Sequence, residues 1–142
     1  AMAAYCDRLS LPGFAHWFRF QADEERQHGL KIYDFILNRN GDVQLGAVNQ
    51  PPVDFPSVIG VCQQALSHEQ QVSQFIHRLY AQAAQAHDYT AKTFLEWFLM
   101  EQVEEGKTAT ELVDWLTMIG DRRDALLLLD RELAQRQPEP NP

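Results

Sequence analysis

The chain has 142 residues, of which 45% are apolar, and it carries a formal net charge of −8 at pH 7. This length and apolar content suit one domain that buries a hydrophobic core. The negative charge argues against a general nucleic-acid surface, since phosphate binding requires clustered Lys and Arg, and it leans weakly toward a protein that handles cations.

The sequence predicts neither a membrane span nor an export signal. It has no run of roughly 18 or more apolar residues, and its N-terminus lacks the basic, apolar and small-residue order of a signal peptide. We therefore expect a cytoplasmic protein. Cys6 and Cys62 lie far apart and outside any C-x-x-C pattern, which favours reduced structural thiols over a disulfide framework.

The first half of the chain predicts two helices. Residues 1–9 are mostly small and apolar and show no N-cap residue, so we expect the given sequence to start in the middle of a helix. A break follows, in which Ser10 is a good cap and Pro12 is tolerated in the first turn of a second helix. The second helix runs to about Asn38, where Asn and Gly residues are typical of a helix C-terminus.

Residues 42–56 have no helical period, and the prolines within them forbid one. A second helix of about 27 residues is roughly 40 Å long. An extended linker of about 15 residues can span that length. The second and third helices are therefore expected to run in parallel, joined by one long crossover.

The remaining helices are marked by caps and short breaks. Ser57 or Asp54 can cap the third helix and Asp88 the fourth, which makes the third and fourth helices an antiparallel pair. Gly120 ends the fourth helix, and a short fifth one runs from Asp121 or Asp124 to about Ala134. It contains four consecutive leucines, Leu126 to Leu129, which cannot all face one bundle, so we expect another subunit to cover some of them.

Three of the predicted helices carry polar residues within an apolar stripe. In the second helix the stripe consists of Phe14, Phe18, Gln21, Glu25, His28, Ile32 and Phe35. In the third it consists of Val58, Cys62, Ala65, Glu69, Val72, Ile76, Leu79 and Ala83. In the fourth it consists of Leu95, Phe98, Gln102, Glu105, Ala109, Leu112, Leu116 and Ile119.

These polar residues point to a metal site. An ionised carboxylate inside a helical bundle is unfavourable unless a positive charge lies beside it, and no Lys or Arg occupies the matching stripe positions. Each of these polar residues lies near the middle of its helix, so in a bundle the polar side chains of neighbouring helices would lie at one level. The expected cluster consists of Glu25, His28, Glu69, Gln102 and Glu105. Taken alone, Glu25 and His28 could instead form an internal ion pair.

The same segments resemble the non-haem bacterial ferritins of the ferritin-like di-iron family. The similar motifs, in order, are Glu24-Glu25-Arg26-Gln27-His28, Ser67-His68-Glu69-Gln70, Phe94-Leu95-Glu96-Trp97 and Glu101-Gln102-Val103-Glu104-Glu105. The resemblance covers nearly the whole chain. It implies an all-α, ferritin-like four-helix bundle over residues 1–136, with one long crossover between the second and third helices and a short C-terminal fifth helix. Residues 137–142 are expected to be a disordered tail.

The resemblance also implies a ferroxidase centre. Glu25 and His28 would hold one iron, and Glu69 and Glu105 a second, with Gln102 nearby. Hard oxygen ligands with a single imidazole suit iron. A third adjacent iron site would match three further acids, Glu24, Glu101 and Glu104. The histidines at 16, 68, 77 and 87 are left outside the site, as more often surface or satisfied groups.

By the same resemblance, the expected function is iron storage. Fe(II) would be oxidised with O2 or H2O2 at the di-iron centre and stored as Fe(III) mineral inside a hollow homo-oligomeric shell, a 24-mer. No nucleic acid or membrane partner is expected. Bacterioferritins and rubrerythrins fit less well, because the fourth helix has no second Glu-x-x-His motif.

One departure from the family pattern leaves alternatives open. Family members supply a further glutamate from the first helix, followed by a tyrosine, and both would precede Ala1. Either the N-terminal half of that helix lies outside the given sequence, which we favour, or the chain is truncated and its centre is incomplete. The alternatives to an iron-storage ferroxidase are thus a non-catalytic shell-forming subunit and a di-iron carboxylate oxidoreductase that acts on another substrate.

Overall fold

The computed structural model describes residues 1–136, and these form five α-helices and no β-strand. The predicted disordered tail, residues 137–142, lies outside the described part of the chain. Among the described helices, none has an apolar stretch long enough to cross a bilayer. The helices are α1 (Met2–Arg8), α2 (Pro12–Asn38), α3 (Val58–Gln85), α4 (Tyr89–Ile119) and α5 (Arg123–Leu133), close to the bounds expected from the sequence.

The helices group into two compact units. The first consists of Ala1–Phe55 and the chain from Arg122 onward, and so contains α1, α2 and α5. The second consists of Pro56–Asp121 and contains α3 and α4. The count of one domain stays a prediction.

Three helices end in the same left-handed turn. Ser10, Asn40 and His87 follow the ends of α1, α2 and α3 with φ values of 59°, 59° and 54°. In each turn the N–H of the next residue donates to the carbonyl five positions earlier, at 2.9 to 3.0 Å. This is the Schellman arrangement, which satisfies carbonyls that the helix leaves open. Gly120, with a φ of 55°, follows the last residue of α4 as predicted.

The prediction that Ser10 caps α2 is wrong. Ser10 belongs to the turn that ends α1, and the residue at the cap position of α2 is Leu11, whose side chain cannot accept a hydrogen bond. A side chain from α5 takes over this role. The Phe14 N–H donates to the buried Oδ1 of Asp130 at 3.0 Å, so a carboxylate distant in sequence lies at the positive end of the α2 dipole.

Gly13 makes this contact between α2 and α5 possible. A Cβ atom built on Gly13 would lie 1.6 Å from the carbonyl oxygen of Asp130. No side chain fits there unless α5 moves away. Around this close approach lies the core of the first unit, which consists of Cys6, Leu11, Phe14, Ala15, Trp17, Phe18, Leu129 and Leu133.

The segment between α2 and α3 is not helical, as its prolines predicted. Its final residues lie against α1. Arg8 donates from Nη2 to the Val53 carbonyl at 3.1 Å, and the Tyr5 ring meets the Phe55 ring edge-on with centroids 5.2 Å apart. These contacts fix the end of the connection within the first unit.

The second unit is a long helical hairpin. The predicted caps are confirmed: Ser57 Oγ accepts from the Gly60 N–H at 3.1 Å, and Asp88 Oδ1 accepts from the Ala91 N–H at 3.0 Å. Only residues 86–88 separate the two helices, which requires them to run antiparallel.

The apolar stripe predicted for α4 is the face that packs against the core. Seven of its eight residues, from Leu95 to Leu116, are buried, including Gln102 and Glu105. On α3 the stripe is less complete. Glu69 is buried as expected, whereas Leu79 is an exposed residue of the same stripe.

The leucines of α5 divide between the core and the surface. Leu129 is buried, whereas Leu127 and Leu128 are 51% and 64% exposed. This division follows from the helical period, because four consecutive positions cover all sides of a helix.

Cys6 is a fully enclosed thiol. Burial, together with the nearby carboxylates of Asp7 and Asp130, raises the pKa of the Cys6 thiol from 9.0 to about 11. The reactive form of cysteine is the thiolate, so Cys6 is an inert core residue, as its isolation in the sequence predicted.

The first test concerns Gly13. Gly13→Ala should lower the free energy of unfolding by about 2 kcal/mol or more, because the added methyl group overlaps the Asp130 backbone. Chemical unfolding measures this change. Gly29→Ala is the matched control, since nothing lies within 4 Å of a Cβ at Gly29, and it should stabilise α2 by about 0.5–1 kcal/mol. Equal effects of the two substitutions would contradict the close approach.

The second test concerns the pH dependence of stability. Because the unfolded thiol ionises near pH 9.0 and the folded one near pH 11, the stability contributed by Cys6 should fall as pH rises through this window. Cys6→Ala removes the titration. The difference in unfolding free energy between wild type and Cys6→Ala, followed by urea unfolding, should therefore shrink between pH 9 and pH 11. A constant difference would show that the thiol is not perturbed.

Candidate metal centre

Glu25 and His28 lie side by side in the middle of α2. Their spacing of three residues places them on one helical face, where both are half-buried. His28 Nδ1 lies 3.8 Å from Glu25 Oε2, which is too long for a hydrogen bond. Because they lie on one face at this distance, both side chains could offer atoms to one cation.

Glu24, on the neighbouring face of α2, has a cationic partner that the sequence analysis missed. Arg136, just after α5, brings its Nη2 to 3.5 Å from Glu24 Oε2, and both side chains are 25% exposed. Arg136 Nη1 also donates to Gln21 Oε1 at 2.7 Å. No periodic pattern along α2 could reveal this arginine, because it comes from the opposite end of the chain.

The second unit buries two carboxylates and an amide. Glu69 on α3 is 8% exposed, and Gln102 and Glu105 on α4 are 8% and 6% exposed. The structure thus confirms that these polar residues lie on the core faces of their helices. Removing a carboxylate from water costs several kcal/mol unless charges or donors compensate it. The two buried acids of this hairpin are therefore candidate cation ligands.

Gln102 orients Glu69. Its Nε2 lies 3.3 Å from the Glu69 carbonyl oxygen, 3.4 Å from Glu69 Oε2 and 3.2 Å from Ser73 Oγ. An amide nitrogen has two N–H groups, so it shares them among three acceptors at long range. A cation would contact Gln102 through its other end, Oε1, while the nitrogen holds the Glu69 side chain.

The remaining predicted acids lie along α4. Glu101 is half-buried, and one of its carboxylate oxygens lies within 4.8 Å of a Glu105 oxygen, as expected for positions four apart on a helix. Glu104, in contrast, is exposed. The structure therefore brings Glu101 together with Glu105, and it leaves Glu104 at the surface of the unit.

His68 is a candidate that the sequence analysis set aside. Its Nδ1 lies 3.6 Å from Glu69 Oε1, although its own side chain is 63% exposed. His68 and Glu69 could both offer atoms to one ion. The available signal was its position next to Glu69, but a histidine of this kind is more often a surface or satisfied group than a ligand.

The donors fit iron. Each unit offers carboxylate oxygens, the second adds an amide oxygen, and the first adds the imidazole of His28. Mixed hard oxygen and imidazole ligands are the set that iron ions accept, whereas no thiolate takes part that would favour a softer metal. Both cysteines are buried at positions remote along the helices from these acids.

The sequence and the structure were compared with known proteins. Residues 1–119 match the family described as "Ferritin-like domain". Over 136 residues the chain is 45% identical to a bacterial non-heme ferritin of Staphylococcus aureus strain USA300, an alignment that covers 96% of this chain and 82% of the relative. A ferritin of the same name from Staphylococcus epidermidis is 44% identical over the same lengths.

Solved structures agree with this result. An open pore ferritin from Archaeoglobus fulgidus superposes with a TM-score of 0.95 at 41% identity, covering 96% of this chain and 84% of that one. A humanized archaeal ferritin gives 0.94 at 38% identity. The expected fold class, an all-α ferritin-like bundle with a short fifth helix, is thereby confirmed. The chain belongs to the ferritin family.

Proposed function

We propose that this ferritin oxidises Fe(II) at a centre formed by Glu25, His28, Glu69 and Glu105 and stores the product as Fe(III). Family membership confirms iron storage as the function expected from the sequence. The observation that carries the catalytic part is the burial of Glu69 and Glu105 on the core faces of α3 and α4. Such burial is costly unless charges or donors compensate it, and a bound cation would offset this cost.

Each ligand has a distinct part in this proposal. Glu25 and His28 of the first unit bind one Fe(II), and Glu69 and Glu105 of the second unit bind another. Gln102 keeps Glu69 in position through its amide N–H groups. Iron is the substrate here, and it gives electrons to O2 or H2O2. The negative ligands favour Fe(III) over Fe(II), because they stabilise the higher charge more strongly.

We further propose that Glu24, Glu101 and Glu104 form a third position through which iron passes. The proximity of Glu101 to Glu105 supports this role, because an ion that leaves one carboxylate can reach the next. The exposure of Glu104 suits a place where iron meets water. A transit position needs weaker ligands than the centre itself, since an ion must leave it.

The protein is proposed to act as a homo-oligomer, a 24-mer, in the cytoplasm. Leu127 and Leu128 support association, because adjacent exposed leucines on one helix are costly in water. A contact between subunits would remove this cost.

The third test measures oxidation at the centre. On the full-length protein, Glu69→Gln should slow Fe(II) oxidation in air by at least about tenfold, because an amide keeps the shape of the side chain but loses the charge that binds iron. The rise of ferric absorbance gives the rate. Glu111→Gln, an exposed acid on the same α4 helix as Glu105, is the charge-matched control and should oxidise iron like wild type.

The result also separates the alternatives. Wild-type rates in Glu69→Gln would reject the assigned centre. If the unmodified protein itself shows no acceleration over buffer, the chain is a non-catalytic shell subunit instead. The metal-free Glu69→Gln variant should be at least as resistant to heat as wild type, because it no longer buries a charge.

The fourth test concerns assembly. Leu128→Ser should shift the protein toward smaller species in size-exclusion chromatography, because it removes apolar area from the proposed contact. Glu111→Ser, at an exposed position of α4 rather than of α5, is the control and should leave the elution volume unchanged. An unchanged profile for Leu128→Ser would show that α5 is not an interface.

A further inference from the structure

The C-terminal part of α5 and the residue Arg136 contact α2 at two places along its length. The first contact, near the N-terminus of α2, is the hydrogen bond from the Phe14 N–H to Asp130. The second contact lies about two to three turns further along α2, where Arg136 meets Gln21 and Glu24. Because both contacts are within the first unit, the position of Arg136 follows from the docking of α5 on α2.

Arg136 is fixed by more than its charge. Its carbonyl oxygen accepts a hydrogen bond from His16 Nε2 at 3.0 Å. Its guanidinium group lies over two aromatic rings, with its central carbon 5.4 Å from the centroid of Trp17 and 4.8 Å from that of Phe20. A cation stacked on aromatic faces in this way is attracted by the negative charge of the rings. These contacts hold the guanidinium group in one position against α2.

From this place Arg136 reaches one of the acids of the proposed transit position. Nη1 donates to Gln21 at 2.7 Å, and Nη2 lies 3.5 Å from Glu24 Oε2. Three-quarters of each partner's side chain is shielded from water. The interaction is thus screened less than an ion pair at an open surface.

We propose that Arg136 competes with divalent cations for the Glu24 carboxylate and so weakens cation binding at the third position. The proposal rests on the function inferred above, in which Glu24 helps iron to pass. Arg136 is a positioning residue, since it acts on iron through Glu24. A cation bound to Glu24 either displaces the guanidinium or remains beside it as a like charge, and both outcomes cost free energy.

The competition has a reciprocal consequence. If Arg136 lowers the affinity of Glu24 for a cation, a cation bound at Glu24 must loosen Arg136 by the same factor. The position of Arg136 is then coupled to the occupancy of the third position. Weak binding is useful there, because a transit site that held iron tightly would stop its passage.

The fifth test uses Zn(II), which cannot be oxidised, as the probe. Isothermal titration of the metal-free full-length protein resolves tight sites from weaker ones. Glu24→Gln should abolish the weaker class. Arg136→Gln should tighten that same class by about three- to tenfold, as expected for removing a partly shielded ion pair, and leave the tight sites unchanged. Arg131→Gln, the charge-matched control on α5, should behave like wild type.

Two further variants separate charge from packing. Arg136→Lys keeps the positive charge and should retain weak binding, whereas a purely structural role would make it resemble Arg136→Gln. In the double variant Glu24→Gln/Arg136→Gln, the second change should have no further effect on Zn(II) binding, because its target is gone.

The outcomes distinguish this inference from the proposed function. If Glu24→Gln removes the weaker class and Arg136→Gln leaves its affinity unchanged or lowers it, the competition is refuted while the third position stands. If Glu24→Gln changes nothing, the third position itself is refuted, and the role of Arg136 with it. Tighter binding in both Arg136→Gln and Arg131→Gln would reduce the effect to general charge and also overturn the inference.

Discussion

The free-energy cost of removing carboxylates from water is the main constraint on the stability of the α3–α4 hairpin. Glu69 and Glu105 occupy core positions on α3 and α4 where apolar residues would stabilise the fold more. The hairpin tolerates them because its remaining stripe residues, from Leu95 to Leu116, supply the apolar burial that holds the helices together. The fold is thus less stable than one with apolar residues at these two positions would be.

The sequence predicted those features that depend on local or periodic chemistry. The bounds of α2 to α4, the caps at Ser57 and Asp88, and the buried face of α4 all follow from residue spacing and from the hydrogen-bonding capacity of single side chains. The polar intrusions Glu69 and Glu105 were visible because a charge interrupts an otherwise apolar stripe. The fold class was predicted on other grounds, from the resemblance of the motifs to ferritins and from a connection long enough for a crossover.

Contacts between distant segments could not be predicted in this way. The assignment of Ser10 as a cap followed from its residue type, but Asp130 supplies the bond across the unit instead. Arg136 reaches Glu24 from beyond α5, and no periodicity along α2 encodes such a partner. His68 was set aside as more often a surface or satisfied group than a ligand, although it lies beside Glu69. The contacts of Asp130 and Arg136 join residues that the folded chain brings close together, and the spacing of residues along one helix carries no information about them.

The close approach of α5 to the first turn of α2 ties two distant positions in the chain together. The space that a side chain at residue 13 would fill is occupied by the carbonyl oxygen of residue 130. Because every residue type has this carbonyl oxygen, the constraint falls on position 13, which must stay glycine while α5 docks in this place. A lineage that acquires a larger residue at position 13 must also re-dock or lose the C-terminal helix. Glycine at this position is thus a marker by which descendants that keep the helix in place can be recognised.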